Sequence, residues 1–391
     1  MNIEKKPISE ICEINPKLKN ASIGNDSSVS FIPMASIDEV TGSIKTTQER
    51  PFVEVKKGFT PFAENDVLFA KITPCMENGK VALARNLKHG IGFGSTEFHV
   101  FRANKKVLPA WIYYFLRQKK LRIAAEKYMT GSAGQKRVPT NFFKKVFIPV
   151  PPMDVQKRIV KSLAQIDQSL AKRRQAIALL DEFLKAVFVE MLGEPVGNVK
   201  GWPTKKLREL CEIVRGSSPR PATDPRYYGG TVPRLMVADV TRDGMYVKPQ
   251  IDFLTDAGAK LSRPMKKGDV VIAVSGDPGL PCILDVNACI HDGFVGLRTL
   301  DIYAISNIYL YHYLKNLKAR NKSKAVGAIF KNLNTDQIKN IEILVPPLTH
   351  QMNFLKKADR VDVLRAKCLA SESELQNLFG AVMQNVFGES I

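Results

Sequence analysis

Gly79-Lys80 is the nearest approach to a phosphate-binding loop, and Val81 follows where such a loop needs Ser or Thr. No Asn/Asp-Pro-Pro-aromatic run, the kind that serves amino-methyl transfer, is present. Pro151-Pro152 and Pro346-Pro347 follow Val150 and Val345 and precede Met153 and Leu348. Gly92-Phe93-Gly94 is a lone Gly-x-Gly and reads as a turn rather than a cofactor loop. His291-Asp292 stands among only five histidines, too few to build a metal site. The six cysteines form no Cys-x-x-Cys pair, which fits free thiols in a reducing cytoplasm and argues against a zinc ribbon. Nothing assembles a nucleophile, a base and a group to orient it. The chemistry on offer is binding.

The charge says what is bound. Lysine and arginine number 58 against 38 acidic residues, a net of +20, which calls for a polyanionic partner. At 391 residues and 45% apolar, two domains with real cores are expected. No apolar run approaches the 18 residues of a membrane span, and MNIEKKPISEICEINP holds no stretch of signal-peptide length.

The elements that must hold such a binding surface come in two copies. PVPPMDVQKRIV (149–160) returns as LVPPLTHQMNFL (344–355), with Gln156 and Gln351 standing 195 residues apart. That offset holds without a gap from Val146/Ile341 to Gly193/Gly388, pairing Asp167 with Asp362 and Leu180 with Leu375. Upstream the halves still correspond, but the offset drifts. ISEICEI (8–14) meets LRELCEI (207–213), DVLFA (66–70) meets DVVIA (269–273), and IYYFL (112–116) meets LYHYL (310–314). Each half is a divergent globular part followed by a part of fixed length.

The fixed part is helical. In residues 154–192, Ile159, Leu163, Ile166, Leu170, Arg173, Ile177, Leu180, Leu184, Val187 and Met191 alternate steps of four and three. Only Arg173 breaks an apolar seam of the coiled-coil kind. The second copy, 349–387, carries Phe354, Ala358, Val361, Leu364, Cys368, Leu375, Phe379, Val382 and Val386, with an interruption at Ser371 and Glu372. The prolines mark helix entry and Gly193 marks an end. The plain alternative is that each helix packs only on its own domain, but the seam is too long and narrow for that. Two such helices in one chain pair antiparallel most simply, so that one chain imitates a two-fold dimer. At 1.5 Å per residue each is a rod of about 58 Å.

The globular parts read as mixed α+β. VSFIPMASI, DVLFAKI and EFHVFRA are strands, and 108–129 and 306–320 are helices whose aromatics (Trp111, Tyr113, Tyr114, Phe115, Tyr309, Tyr311, Tyr313) belong to the core. The two rods carry net charges of only +2 and +1, so seventeen of the twenty charges lie elsewhere. Two basic modules on a near-neutral spacer suit duplex DNA held at two places.

Jointly, the two VPP-x-x-x-Gln copies, the helices ending LGE and FGE, VRGSSPRP (214–221), AKITPCMENGK (70–80) and GFGSTEF (92–98) resemble the specificity subunit of type I restriction-modification enzymes over nearly the whole length. The resemblance implies an α+β chain with two globular target-recognition domains in pseudo-two-fold arrangement, joined by two long antiparallel helices forming a coiled coil. The segments are residues 1–145 (first domain), 146–195 (central helix), 196–340 (second domain) and 341–391 (distal helix). It implies a non-catalytic, cytoplasmic subunit that binds double-stranded DNA. Each domain reads half of a bipartite, asymmetric site and the helices set the gap. Two modification subunits dock on it, and ATP-driven restriction subunits join them in the nuclease. S-adenosylmethionine, ATP and Mg belong to those partners, with none on this chain. The competing readings are a self-contained methyltransferase or nuclease, and a basic scaffold without sequence preference. Base reading needs polar groups at groove edges. The candidates are Lys71, Asn78, Lys80, Ser95, Thr96, Gln135, Lys136 and Arg137 in the first domain, and Arg215, Ser217, Ser218, Arg220, Ser275, Lys331 and Asn332 in the second.

Overall fold

The computed structural model describes residues 4–18, 23–132, 134–195, 197–222, 224–323 and 334–388. The chain divides into two compact units, 1–176 with 368–391, and 177–367. These units cut across the four segments read from the sequence, because each joins one globular region to half of each long helix.

In the first unit, one sheet runs Cys12–Ile14, Phe98–Ala103, Val67–Ala70, Val81–Leu83, all antiparallel. The other runs Gln48–Pro51, Ser28–Ile32, Ile91–Gly94, Thr60–Ala63, with a parallel pair at its centre. Successive side chains of a strand face opposite ways. Leu68 therefore joins Ile32, Phe62, Phe98 and Val100 in one core, while Val67 and Phe69 join the domain helix Pro109–Leu116 in another. Both faces are covered, which is why DVLFA is apolar without alternation. Gly92-Phe93-Gly94 is strand, not the turn expected. A Cβ on Gly92 would overlap the Phe62 ring, so the glycine is a packing requirement.

The second unit repeats this strand order and adds one edge strand, Tyr246–Val247, parallel to Pro281–Leu284. Its sheets run Glu212–Arg215, Phe294–Arg298, Val270–Ala273, Pro281–Leu284, Tyr246–Val247 and Asp252–Leu254, Tyr228–Leu235, Ala288–Ile290, Arg263–Met265. The second of these again has its central pair parallel.

The duplicated motif has a shared physical job. In the first unit Gln156 is fully buried, accepts from Leu108 N (2.9 Å), and donates to the carbonyls of Lys106 (3.0 Å) and Pro151 (2.9 Å). In the second, Gln351 accepts from Ser306 N (3.1 Å) and donates to Ala304 (2.9 Å) and Pro346 (2.8 Å). Each glutamine stitches the entry of a domain helix to the entry of a long helix. Trp111 Nε1 donating to Pro149 O (2.9 Å) and Tyr309 Oη to Leu344 O (2.7 Å) repeat the pattern. All seven aromatics assigned to the core are buried.

The long helices are Met153–Leu192 and Leu348–Phe387, 40 residues each. Gly193 ends the first in a left-handed conformation (φ 87°). Inside the first unit, Leu163 and Ile159 share a core with Phe379, Val382, Met383 and Phe387, and Arg174 Nε meets Glu372 Oε1 at 2.8 Å. Inside the second, Leu184, Val187 and Phe188 share a core with Phe354, Ala358 and Val361, and Asp181 lies 3.9 Å from Arg365. In both units, rising numbers on one helix meet falling numbers on the other, so the halves run antiparallel.

Leu163, Ile166, Leu170, Leu184, Val187, Phe354 and Val361 of the seam are buried, and Ile159, Ile177, Leu180, Leu375, Phe379 and Val382 half-buried. Leu364 is a correction: it is 51% exposed, and its neighbour Arg365 faces inward instead. The two interruptions explain each other. Arg173 Nε donates to Ser371 Oγ at 3.2 Å beside the Arg174–Glu372 pair, so the polar residues of both helices form one layer. The alternative of packing on the home domain holds only near each helix start, where Ile159 and Leu163 join the core of the first globular region and Phe354 lies 5.1 Å from the His312 ring. Near its end each helix packs on the other globular region: Phe387 touches Trp111 (ring centroids 4.8 Å), and Phe188 stacks on Tyr309 (5.9 Å). The helix signal over 108–129 is broken into Pro109–Leu116 and Lys119–Glu126, where Gln118 turns extended and its amide caps Phe115 O.

Candidate nucleic-acid interface

In the first unit three loops are laced together by backbone bonds. They follow the strand Val67–Ala70, link Ile91–Gly94 to Phe98–Ala103, and run through 134–138. Lys71 N donates to Glu97 O (2.9 Å), Val138 N to Lys71 O (2.9 Å), and Thr73 N to Lys136 O (3.0 Å). Lys71, Ser95, Thr96, Lys136 and Arg137 are thereby brought to one edge, with Gln135 exposed on a turn beside them. Behind them His99 is buried and donates from Nε2 to Val138 O at 2.8 Å; burial, foremost, lowers its pKa. Asn78 is exposed at the end of a short helix, Cys75–Asn78, away from these lacing bonds. Lys80 turns inward, its ammonium donating to Met34 O at 3.2 Å.

Glu97 escaped the sequence reading, which looked for donors. Its carboxylate grips Arg137, with Nε at 2.9 Å and Nη2 at 2.8 Å. The bound guanidinium lowers the Glu97 pKa. The only sequence signal was an acid in GSTEF, beside the strand that the loop enters.

In the second unit the loops equivalent by topology carry different groups. Where the first has Ser95-Thr96-Glu97, the second has His291-Asp292-Gly293. Ser217 N donates to Ile290 O (3.1 Å), Gly216 N to Phe294 O (2.9 Å), and Val274 N to Gly293 O (2.8 Å), so 215–220, 274–275 and 290–294 converge. Ser218 Oγ donates to Asp292 Oδ1 at 2.7 Å, with Arg220 3.5 Å from the same carboxylate. The Ser218 hydroxyl, foremost, lowers the Asp292 pKa. Ser217 Oγ turns to Leu261 O at 3.0 Å, Arg215 is exposed at its strand end, and Ser275 is exposed. His291 Nδ1 accepts from Gly293 N at 2.9 Å and holds the loop. Lys331 and Asn332 lie outside the described residues.

The sequence profile described as "Type I restriction modification DNA specificity domain" matches residues 1–179 and 199–375. The chain belongs to that family. It is 40% identical over 160 residues to the "Type I restriction enzyme EcoEI specificity subunit" of Escherichia coli, covering 41% of this chain and 27% of that protein. It is 24% identical over 321 residues to the "Putative type I restriction enzyme MjaX specificity subunit" of Methanocaldococcus jannaschii, 76% of this chain and 72% of the relative. The match thus spans about a quarter of the E. coli relative's length. In fold it is similar to the type I restriction-modification S subunit of M. genitalium, with a TM-score of 0.56 at 15% identity over 99% of this chain and 96% of that one. Among the described residues, no helix is long and apolar enough to cross a membrane.

Proposed function

We propose that this chain is the DNA-reading, non-catalytic subunit of a type I restriction-modification complex. Residues 1–145 and 196–340 each read one half of a bipartite, asymmetric site. Segments 146–195 and 341–391 form one antiparallel coiled coil that sets the gap, so that the two readers stand in pseudo-two-fold relation. The supporting observation is the repeated topology: the same four-strand orders and the same glutamine stitch carry unlike loops, Ser-Thr-Glu in one copy and His-Asp-Gly in the other. Equal frames with unequal tips give two equivalent docking places and two different half-sites.

The contacts fall to Lys71, Thr96, Gln135, Lys136 and Arg137 on one side and to Arg215, Ser218, Arg220 and Ser275 on the other. Two modification subunits bring S-adenosylmethionine; restriction subunits, where present, bring ATP and Mg. The complex works in the cytoplasm. Leu179 and Phe183, each 55% exposed on the first long helix, offer the apolar surface that a docking subunit covers.

The test is to map methylated adenines in a genome expressing the chain with its modification subunit. A single two-part motif with a fixed gap supports the reading. Methylation by the purified chain alone would revive the self-contained enzyme, and equal affinity for all duplexes would favour the scaffold. Inserting one heptad in 159–184, with the paired helix lengthened to match, is expected to change the gap.

A further inference from the structure

We propose that Glu97 and Arg137 form a built guanine reader, in which the carboxylate holds the guanidinium so that its remaining donors meet the O6/N7 edge of one guanine. This rests on the DNA-reading function above and deepens it.

An arginine carries five N–H donors and no acceptor. Here Nε lies 2.9 Å and 3.2 Å from the two Glu97 oxygens, Nη2 lies 2.8 Å from Oε1, and Nη1 donates to Gln135 O at 3.1 Å. One donor remains on each terminal nitrogen, with no partner among the described residues. A two-pronged donor asks for a two-acceptor edge.

Both side chains spring from fixed backbone. Arg137 N donates to Thr130 O at 2.8 Å and Thr130 N returns to Arg137 O at 3.0 Å, while Glu97 O accepts from Lys71 N. The arginine is the more exposed partner, 41% against 22% for Glu97, so the free prongs rather than the carboxylate are the ones presented outward.

Two kinds of acceptor edge compete for them, a phosphate and a base. The pair is net neutral, and a phosphate brought to the prongs would meet the Glu97 charge behind them. Bare cations serve phosphates better, and the exposed Lys136 is adjacent. A neutral base edge meets no such repulsion. Among bases, guanine presents two acceptors in the major groove. Adenine sets an N6 donor against the prongs, and thymine offers one oxygen and a methyl. Arg137 is the specificity-determining residue, and Glu97 is a positioning residue acting through it.

The experiment maps methylated adenines in cells expressing the full chain with its modification subunit, comparing wild type, Arg137→Lys and Glu97→Gln. The relevant half-site is the one that changes when residues 1–145 are exchanged. We expect a fixed guanine there. Arg137→Lys should relax that one position by roughly ten- to a hundred-fold, Glu97→Gln should relax it less, and every other position should hold. A merely structural role would lower methylation at all sites without relaxing one base. Should Arg137→Lys fail to fold, Glu97→Gln carries the same comparison. The proposal is overturned by a wild-type half-site without guanine on either strand, by uniform loss across all sites, or by no change in either variant. Sequence-independent methylation by wild type would overturn the DNA-reading function itself, and the proposal with it.

Discussion

At the scale of single residues, the most consequential side chains are buried amides and half-buried carboxylates rather than exposed cations. Gln156 satisfies three backbone groups from two segments. Gln156→Leu leaves Leu108 N and two carbonyls unpaired and should cost ~2–4 kcal/mol, read by denaturant unfolding; the same change at Gln351 should behave alike. Asp38 shows how charge holds a turn. The Lys45 ammonium, then the Thr41 and Val40 N–H groups, keep its carboxyl well below the usual range. A depressed folded pKa adds stability above the unfolded value, about 4, and that stability is lost as pH falls further toward the folded pKa. Asp38→Asn should therefore flatten the acid limb of the stability–pH curve, measured by thermal melts between about pH 2 and pH 6. Much at this scale was hidden in the sequence. Lys80 lies in a glycine- and asparagine-rich loop, yet it bonds Met34 O, because only tertiary contact decides where a long side chain ends. Glu97 was invisible as a partner because Arg137, its mate, is 40 residues away.

At the scale of elements, the sequence was most informative where one period ran long. The 3–4 spacing over 159–191 fixed a helix and its inward face. The repeated Gln marked helix entries, although its bonds could be named only from coordinates. Misreadings arose where one residue overrode the period. Gln118 caps Phe115 and breaks a helix. At 364–365 the inward position passes from Leu364 to Arg365, whose head reaches toward Asp181. The polar layer of Arg173, Arg174, Ser371 and Glu372 was legible as two separate blemishes, but not as one contact. Replacing both Arg174 and Glu372 by Leu should leave stability unchanged or raised. Glu372→Ala alone should cost ~1 kcal/mol, because it strands a half-buried guanidinium. Thermal unfolding of the three proteins gives the comparison; a double variant less stable than the single one would show that the layer contributes more than its ion pair.

At the scale of the whole molecule, duplication and divergence do separate work. Duplication supplies two frames that share their strand order, and on the proposed function divergence at the loop tips supplies two readers. That division was visible as an offset constant at 195 after each Pro-Pro and drifting before it. Which loops converge was not visible, since strands distant in sequence set their meeting. With +20 net charge concentrated outside the long helices, affinity for a cognate duplex should fall by roughly a thousand-fold or more between about 50 and 200 mM salt if six or more phosphates are neutralised. Fluorescence anisotropy across a salt series reads this directly. The most direct measurement is to replace residues 1–145 with the matching domain of another family member and map methylated adenines genome-wide. One half of the recognised site should change, while the other half and the gap stay as they were. Alteration of both halves, or of neither, would contradict the picture of independent readers on a common frame.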